Sequence, residues 1–497
     1  MLFPAVLLIY LSGLLVVGVV KSRQVKTQAG FSLAGRGLGP FVLTGTLLAT
    51  WTGTGSIFGL AEEGYTVGLP ALLVPLSTAL GLIVLAFLCT RVRAKGRYTL
   101  QDILEERFGP AARVLGTLTL VLAYLVIVSY QLRAAESVLR RTLETSGFLG
   151  AGEVSTTSLL VFVAVAIAGY TALAGLMSIA LTDTFNGVLM GLGLIIALPV
   201  VWSAVGDAPQ VLTSSAGPGT TGMVFAPLGA LPESARQLGG HYTLFDMLSR
   251  TLPLFLLVIG DANLHQRFLA AKSDRAARMA VLFLIPSVLV LDAVIILVAV
   301  GGSVLLPGLE NAGPIVLELG LSVLPPLLGA VLVAAILAII VSTADSYLLA
   351  SSTSLVRDVY QRFVRRNASE AELLKAARIV VGLLALAAVV VALGDDEFFS
   401  VALFAYTIYG VGITPPLLAA LFWKRATPAG AVTSMVAAVT CAVTWRNLDV
   451  GPAAAARLGL PEGSSVDAVV PSVVIAVVLM VVVSLMTTPR APIEPAT

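Results

Sequence analysis

Long apolar runs, separated by short polar segments, recur along the whole chain. Thirteen such stretches stand out, at residues 2–20, 38–62, 67–90, 112–137, 157–177, 178–204, 243–270, 276–305, 326–355, 373–394, 397–423, 428–446 and 468–487. Most match or exceed the roughly 20 residues that a helix needs to cross the hydrocarbon core of a bilayer. Between residues 281 and 305 the only charged side chain is Asp292. The pattern predicts an all-α polytopic membrane protein of about 13 transmembrane helices embedded in the lipid bilayer.

Composition agrees with the pattern. Of 497 residues, 58% are hydrophobic and 12% charged, against about a quarter charged in soluble domains. The first stretch lacks the basic start and small-residue cleavage site of a signal peptide, so it reads as a retained first helix. With the N-terminus outside and the C-terminus inside, the cytoplasmic segments hold 23 of the 30 Lys and Arg residues. The outside loops instead collect acids, such as Glu62, Glu63, Asp395, Asp396 and Glu397. This is the positive-inside distribution, and it places the protein in a cell (inner) membrane. The longest outside loop, about 205–242, is rich in Gly, Pro and Ser, and the tail after 487 is short. Cys89 and Cys441 lie in apolar stretches and read as small core residues rather than a disulfide or metal site. The near balance of 30 basic and 28 acidic residues gives no sign of nucleic-acid binding. No phosphate-binding loop is present, so ATP-driven pumping is unsupported and any energy must come from an ion gradient.

Polar groups at bilayer depth are costly and mark pathways. Four carboxylates fall inside predicted spans: Asp183, Asp261, Asp292 and Asp345. The second span carries residues 49–56, ATWTGTGS, at its middle. Its glycines weaken the helix and its hydroxyls compete for backbone bonds, so freed carbonyls there are able to hold a cation. Close packing of small residues is the alternative, and the bulky Trp51 argues against it. In the ninth span Ser342, Asp345 and Ser346 are spaced i, i+3 and i+4 on one helix face, offering hard oxygen ligands. The seventh span is interrupted at Gly260 and Asp261. Interrupted spans five apart predict two inverted five-helix repeats with a site at their interface. The chain then divides into 1–37 (first helix and cytoplasmic loop), 38–204 (first repeat), 205–242 (extracellular loop), 243–425 (second repeat) and 426–497 (two further helices and tail).

At these residues the sequence resembles the sodium:solute symporter family, whose members include sodium/proline, sodium/galactose, sodium/sialic acid and high-affinity choline symporters. The resemblance runs along nearly the whole chain. It is carried by FSLAGRGLG at 31–39, ATWTG at 49–53, AGLMSIALTD at 174–183 and QRFLAAK at 266–272. STADS at 342–346, RDVY at 357–360, RNASE at 366–370, TPP at 414–416 and FWKR at 422–425 complete it. The resemblance implies a LeuT-type core over spans two to eleven. It also implies sodium as the coupling ion, held by the carbonyls of Ala49, Thr52 and Ile339 and the hydroxyls of Ser342 and Thr343. Some members bind a further sodium with an aspartate like Asp183, for which Asp345 and Ser346 are the companions here. Spans two and nine look most like the choline branch, where aromatic side chains cage a quaternary ammonium. Trp51 matches one of those aromatics, whereas Asp261 replaces the one expected on span seven. Thr54, Gln131, Tyr406 and Thr407 are further expected substrate-facing groups by span and depth.

The expectation is a symporter that imports a small organic solute (amine, amino acid, sugar or carboxylate) by alternating access, with no cofactor besides sodium. The residues leave the solute and the oligomeric state open. A proton-coupled carrier using Asp183 or Asp345 is the first alternative, and a non-transporting sensor with the same fold the second. An enzyme is not expected, because no metal or nucleophile motif joins the two histidines, His241 and His265.

Overall fold

The computed structural model of the chain describes residues 2–22, 27–96, 98–148, 150, 154–207, 244–394, 398–460 and 465–488. Most of the expected outside loop, with His241, lies outside the described residues. So do Asp395, Asp396 and Glu397, nearly all of the tail, and the basic residues Arg23, Lys26, Arg97 and Arg490. Among the described residues the elements are helices, with one isolated bridge between Leu38 and Ala271. Nine helices there are long and apolar enough to cross a membrane.

The first helix, α1 (Leu2–Ser22), is followed by the short α2 (Gln28–Leu33). Next come α3 (Pro40–Trp51) and, after a break, a wide turn Gly55–Leu60 that runs into α4 (Ala61–Val67). α5 (Val74–Ala94), the short α6 (Leu100–Phe108) and α7 (Pro110–Thr145) then lead to α8 (Thr156–Asp207). A 52-residue helix would run about 78 Å if straight, far more than one bilayer. It turns at Gly175, with φ 65° and ψ 168°, a backbone region essentially reserved for glycine. The second half adds α9 (Leu244–Gly260), α10 (Ala262–Ala270), α11 (Asp274–Leu305), α12 (Ile315–Ser322), α13 (Pro326–Ser354) and α14 (Glu370–Ala392). It closes with α15 (Phe398–Phe422), α16 (Pro428–Asn447), α17 (Val450–Arg457) and α18 (Val469–Met486).

Burial separates centre from rim. In α13, 83% of the apolar window is buried, against 28% in α18. A helix that is apolar all round belongs in the middle of a bundle, and α13 packs on α3, α7 and α8. Phe41, Phe87 and Phe185 instead stand exposed on the outer surface, as side chains facing lipid would.

The two interrupted spans end in different ways. α9 stops at Gly260, and Asp261 caps α10 by accepting from the Asn263 amide. Protein groups satisfy this break: the Tyr409 hydroxyl donates to the Gly260 carbonyl at 2.9 Å and accepts from the Ala262 amide at 3.0 Å. A His265 ring nitrogen meets the Ile259 carbonyl at 2.9 Å. α3 stops at Trp51, and Thr52 leaves the helical region with φ −76° and ψ 55°. The next residue, Gly53, closely faces Thr343 on α13 and Gln131 on α7.

Arg267, on α10, ties these elements together. It lies at the end of the predicted seventh span, where a basic residue ordinarily reaches the polar surface, yet it is fully buried. The reason is that all nine residues of α10 turn inward under the bundle. Arg267 Nη2 lies 3.2 Å from Asp183 Oδ2 on α8 and donates to Ser346 Oγ on α13 at 2.6 Å. Its Nε donates to Thr46 Oγ1 on α3 at 2.9 Å, and its Nη1 to the Asn263 side chain. One guanidinium thus joins four elements.

Two stability predictions follow from this packing. Gly175→Ala should destabilise the detergent-solubilised protein by roughly 1–3 kcal/mol. Gly169→Ala, on the same helix with open space at its Cβ, should be near neutral, and thermal unfolding midpoints check the pair. Arg267→Met should cost about 3–5 kcal/mol, because it strands the buried Asp183 charge. The double variant Arg267→Met, Asp183→Leu should lose less than the sum of the two single losses, as a double-mutant cycle would show.

Candidate functional site

The site is built where the broken α3 crosses α13. Thr343 Oγ1 on α13 donates to the Ala49 carbonyl at 3.2 Å. Ser342, its neighbour, donates to Asp183 Oδ1 on α8. Ile339 is buried one turn before Thr343, so its carbonyl points along the helix toward that residue. The hydroxyls of Thr50 and Thr52 are buried and have no hydrogen-bond partner. Gly53 is needed for the approach: a Cβ there would stand 2.8 Å from Thr343 Cγ2 and 3.0 Å from Gln131 Nε2. The five residues expected to hold sodium therefore lie on two facing segments. They offer hard oxygens, the donor type a small hard cation prefers.

The three residues expected at a second ion are placed differently. Asp183 and Ser346 both bond the Arg267 guanidinium, so a fixed positive charge stands between them. Asp345 instead accepts from Thr171 Oγ1 on α8.

Next to the break lies a small closed cavity of about 20 Å³, room for about one water. Trp51, Gln131 and Tyr406 line it. Of the other expected substrate-facing groups, Thr54 sits just behind the wall and donates to Gln131 Oε1 at 2.5 Å. Asp261 is taken up by the Tyr124 hydroxyl, by Tyr347 at 3.2 Å and by the Asn263 amide at 2.7 Å. Thr407 is buried without a partner and is not among the lining residues. The wall also includes residues not expected from the sequence: Ser56, Tyr130, Tyr347 and Asp292. Tyr130 and Tyr406 meet hydroxyl to hydroxyl at 3.0 Å across it. Asp292 had a signal in the sequence as the one charge in its apolar run. The tyrosines had none beyond adjacency to Gln131 and Ser346.

Ion pairs close the bundle at both ends of this core. At one end Arg250 on α9 pairs with Glu63 on α4. At the other, Arg113 on α7 bonds Asp358 and Asp102, each at 2.7 Å, and Glu105.

Comparison with known proteins agrees with this architecture. The profile of the sodium:solute symporter family matches residues 31–438. The sodium/proline symporter of Haemophilus influenzae is 27% identical over 88% of this chain and 87% of its own length. The high-affinity proline transporter of Bacillus subtilis is 26% identical over 87% and 90%. In three dimensions the chain is similar to a substrate-bound, outward-open sodium-coupled sialic acid symporter. The TM-score is 0.77 at 18% identity, over 100% of this chain and 99% of the other. The closed form of Mhp1, a nucleobase-cation-symport-1 transporter, gives 0.56 at 13% identity over 92% and 94%. The fold is thus the LeuT type, shared with transporters rather than enzymes, and the protein is a multi-pass protein of the cell membrane. With its profile matched over most of its length, the chain belongs to the sodium:solute symporter family.

Proposed function

We propose that the protein imports a small organic solute by alternating access, driven by one sodium ion held between α3 and α13. The observation that carries the reading is the hydroxyl-to-carbonyl contact from Thr343 to Ala49 across the α3 break. A sodium ion entering there takes the Ala49, Thr52 and Ile339 carbonyls and the Ser342 and Thr343 hydroxyl oxygens. The two hydroxyl protons then turn to other acceptors, with Asp183 already serving Ser342. The break in α9 already has protein partners, which leaves the α3 break as the one suited to an ion. At Asp183 and Ser346 the Arg267 guanidinium supplies the positive charge that a second ion would bring.

Binding sodium stiffens the join between α3 and α13, and Thr50, Trp51, Gly53, Gly55 and Ser56 beside that join also line the cavity. Ion and solute therefore favour the same arrangement, and each raises the affinity of the other by an equal factor. The cavity is too small for an organic solute, so its walls must part on one side at a time. The Arg250–Glu63 pair is the outer closure in this reading, and the Arg113 cluster the inner one. That orientation puts the N-terminus outside and the C-terminus inside, with thirteen crossings and repeats at 38–204 and 243–425. Inward sodium movement then adds about 2.3 kcal/mol per charge per 100 mV. The proline symporters among its relatives show that solutes of amino-acid size suit this family.

Sodium, but not potassium, should raise the unfolding midpoint of the purified protein. Ser342→Ala and Thr343→Ala should each raise the sodium concentration for half of that effect by about 10-fold or more, as expected for loss of a metal-site partner. A sodium response unchanged by both substitutions, or none in the wild type, would refute the site. Stabilisation by falling pH in place of sodium would favour the proton-coupled alternative.

A further inference from the structure

One buried carboxylate of the cavity wall, Asp292, has no counter-charge beside it among the described residues. Asp292 lies in the middle of α11, 1% exposed, in a run otherwise free of charge from 281 to 305. Ser56 hydrogen-bonds to its carboxylate, while Oδ1 is buried with no partner at all. The side chain lines the central cavity, and no Lys, Arg or His among the described residues lines it with Asp292. The other carboxylates of the core are provided for. Asp183 has Arg267, Asp261 has two tyrosines and an amide, and Asp345 has Thr171.

An unpaired carboxylate in a membrane core is kept at a cost and marks a place where a cation arrives. The remaining wall indicates which cation. A metal ion seeks a shell of oxygens, as the α3 break provides. Around Asp292 the cavity instead presents the rings of Trp51, Tyr130, Tyr347 and Tyr406. Ring faces attract an organic ammonium, with its low charge density and apolar substituents. Ser56 sits on the turn directly after the α3 break, so the partner of the Asp292 carboxylate follows closely on the sodium ligands Ala49 and Thr52.

We propose that Asp292 is the counter-ion for an ammonium group on the carried solute, with Trp51 and the three tyrosines enclosing that group. The solute class is then an amine or amine-bearing zwitterion, not a sugar or a simple carboxylate. The inference rests on the symport reading and narrows its substrate. It also gives a direct route for coupling. Sodium at Ala49 and Thr343 orders the turn that carries Ser56, and Ser56 fixes the carboxylate that meets the solute.

The test uses the full-length purified protein and matched probes that differ chiefly in charge. The pairs are choline with its neutral isostere dimethylbutanol, proline with cyclopentanecarboxylate, and ethanolamine with propanol. Unfolding midpoints are read for each probe in sodium and in potassium. At least one amine should stabilise in sodium only, and its partner lacking the ammonium should not at the same concentration. Asp292→Asn should weaken that amine at least about 30-fold, and Asp292→Glu should recover part of the loss. The shift given by sodium alone in the Asn variant reports that it is folded. The proposal is overturned if no amine stabilises in sodium, if a partner lacking the ammonium binds as well as its amine, or if Asp292→Asn binds the amine as tightly as the wild type. A wild type that ignores sodium itself would instead overturn the symport reading beneath it, so the two failures are distinct.

Discussion

A guanidinium buried at the centre of a membrane bundle costs several kcal/mol unless its charge and its donors are all met. Arg267 is met by Asp183, Ser346, Thr46 and Asn263, and those partners come from α8, α13, α3 and α10. Together Arg267 and Asp183 link both interrupted spans to the two helices that flank the site. Its position dictates much else. Asp183 is held so that its other oxygen receives Ser342, and Ser342 is thereby kept facing the α3 break. The neighbouring Thr343 then points at the Ala49 carbonyl. The fixed cation thus sets the geometry of the neighbouring oxygens proposed to hold a mobile one.

The two breaks show a division of labour. At Gly260 and Asp261 the loosened backbone groups find Tyr409, Tyr124 and His265, so this break is a rigid joint. At Thr52 the surroundings are glycines and partnerless hydroxyls, and the close crossing at Gly53 leaves no room for a side chain. Rigidity on one side and unmet oxygens on the other are what an ion-gated hinge requires. The cavity beside it extends the same logic, with aromatic rings and a carboxylate that no cationic side chain joins there among the described residues.

Much of this was legible in the chain. Hydropathy pointed to the long apolar helices, nine of which are long enough to cross a membrane among the described residues, and the bend at Gly175 falls close to where the predicted fifth and sixth spans divide. The breaks at residues 52–54 and 260–261 were readable because glycine and hydroxyl-bearing residues have no reason to interrupt a long apolar helix unless its backbone is needed. Arg267 was not legible, since it follows His265 and Gln266 and so looks like the start of a loop. Only the inward turn of α10 reveals it as core. The partner of Asp345 is Thr171, 174 residues away, and no local spacing announces such a pair. Asp261 shows the limit most clearly. A charge at bilayer depth reads as a binding group, yet in the fold it caps a helix and its oxygens are already shared out. Asp292 was visible as a lone charge in an apolar run. Its meaning depended on what faced it, which only the packing of α11 against the α3 break discloses.

The central claim is that sodium binds at the α3 break and orders it against α13. Hydrogen–deuterium exchange on the purified protein in sodium and in potassium tests it without knowledge of the solute. The account predicts that sodium slows exchange of the amides around residues 49–57 and 339–346 while leaving the joint at 260–263 unchanged. Equal exchange in the two salts at residues 49–57, or protection confined to another region, would contradict it.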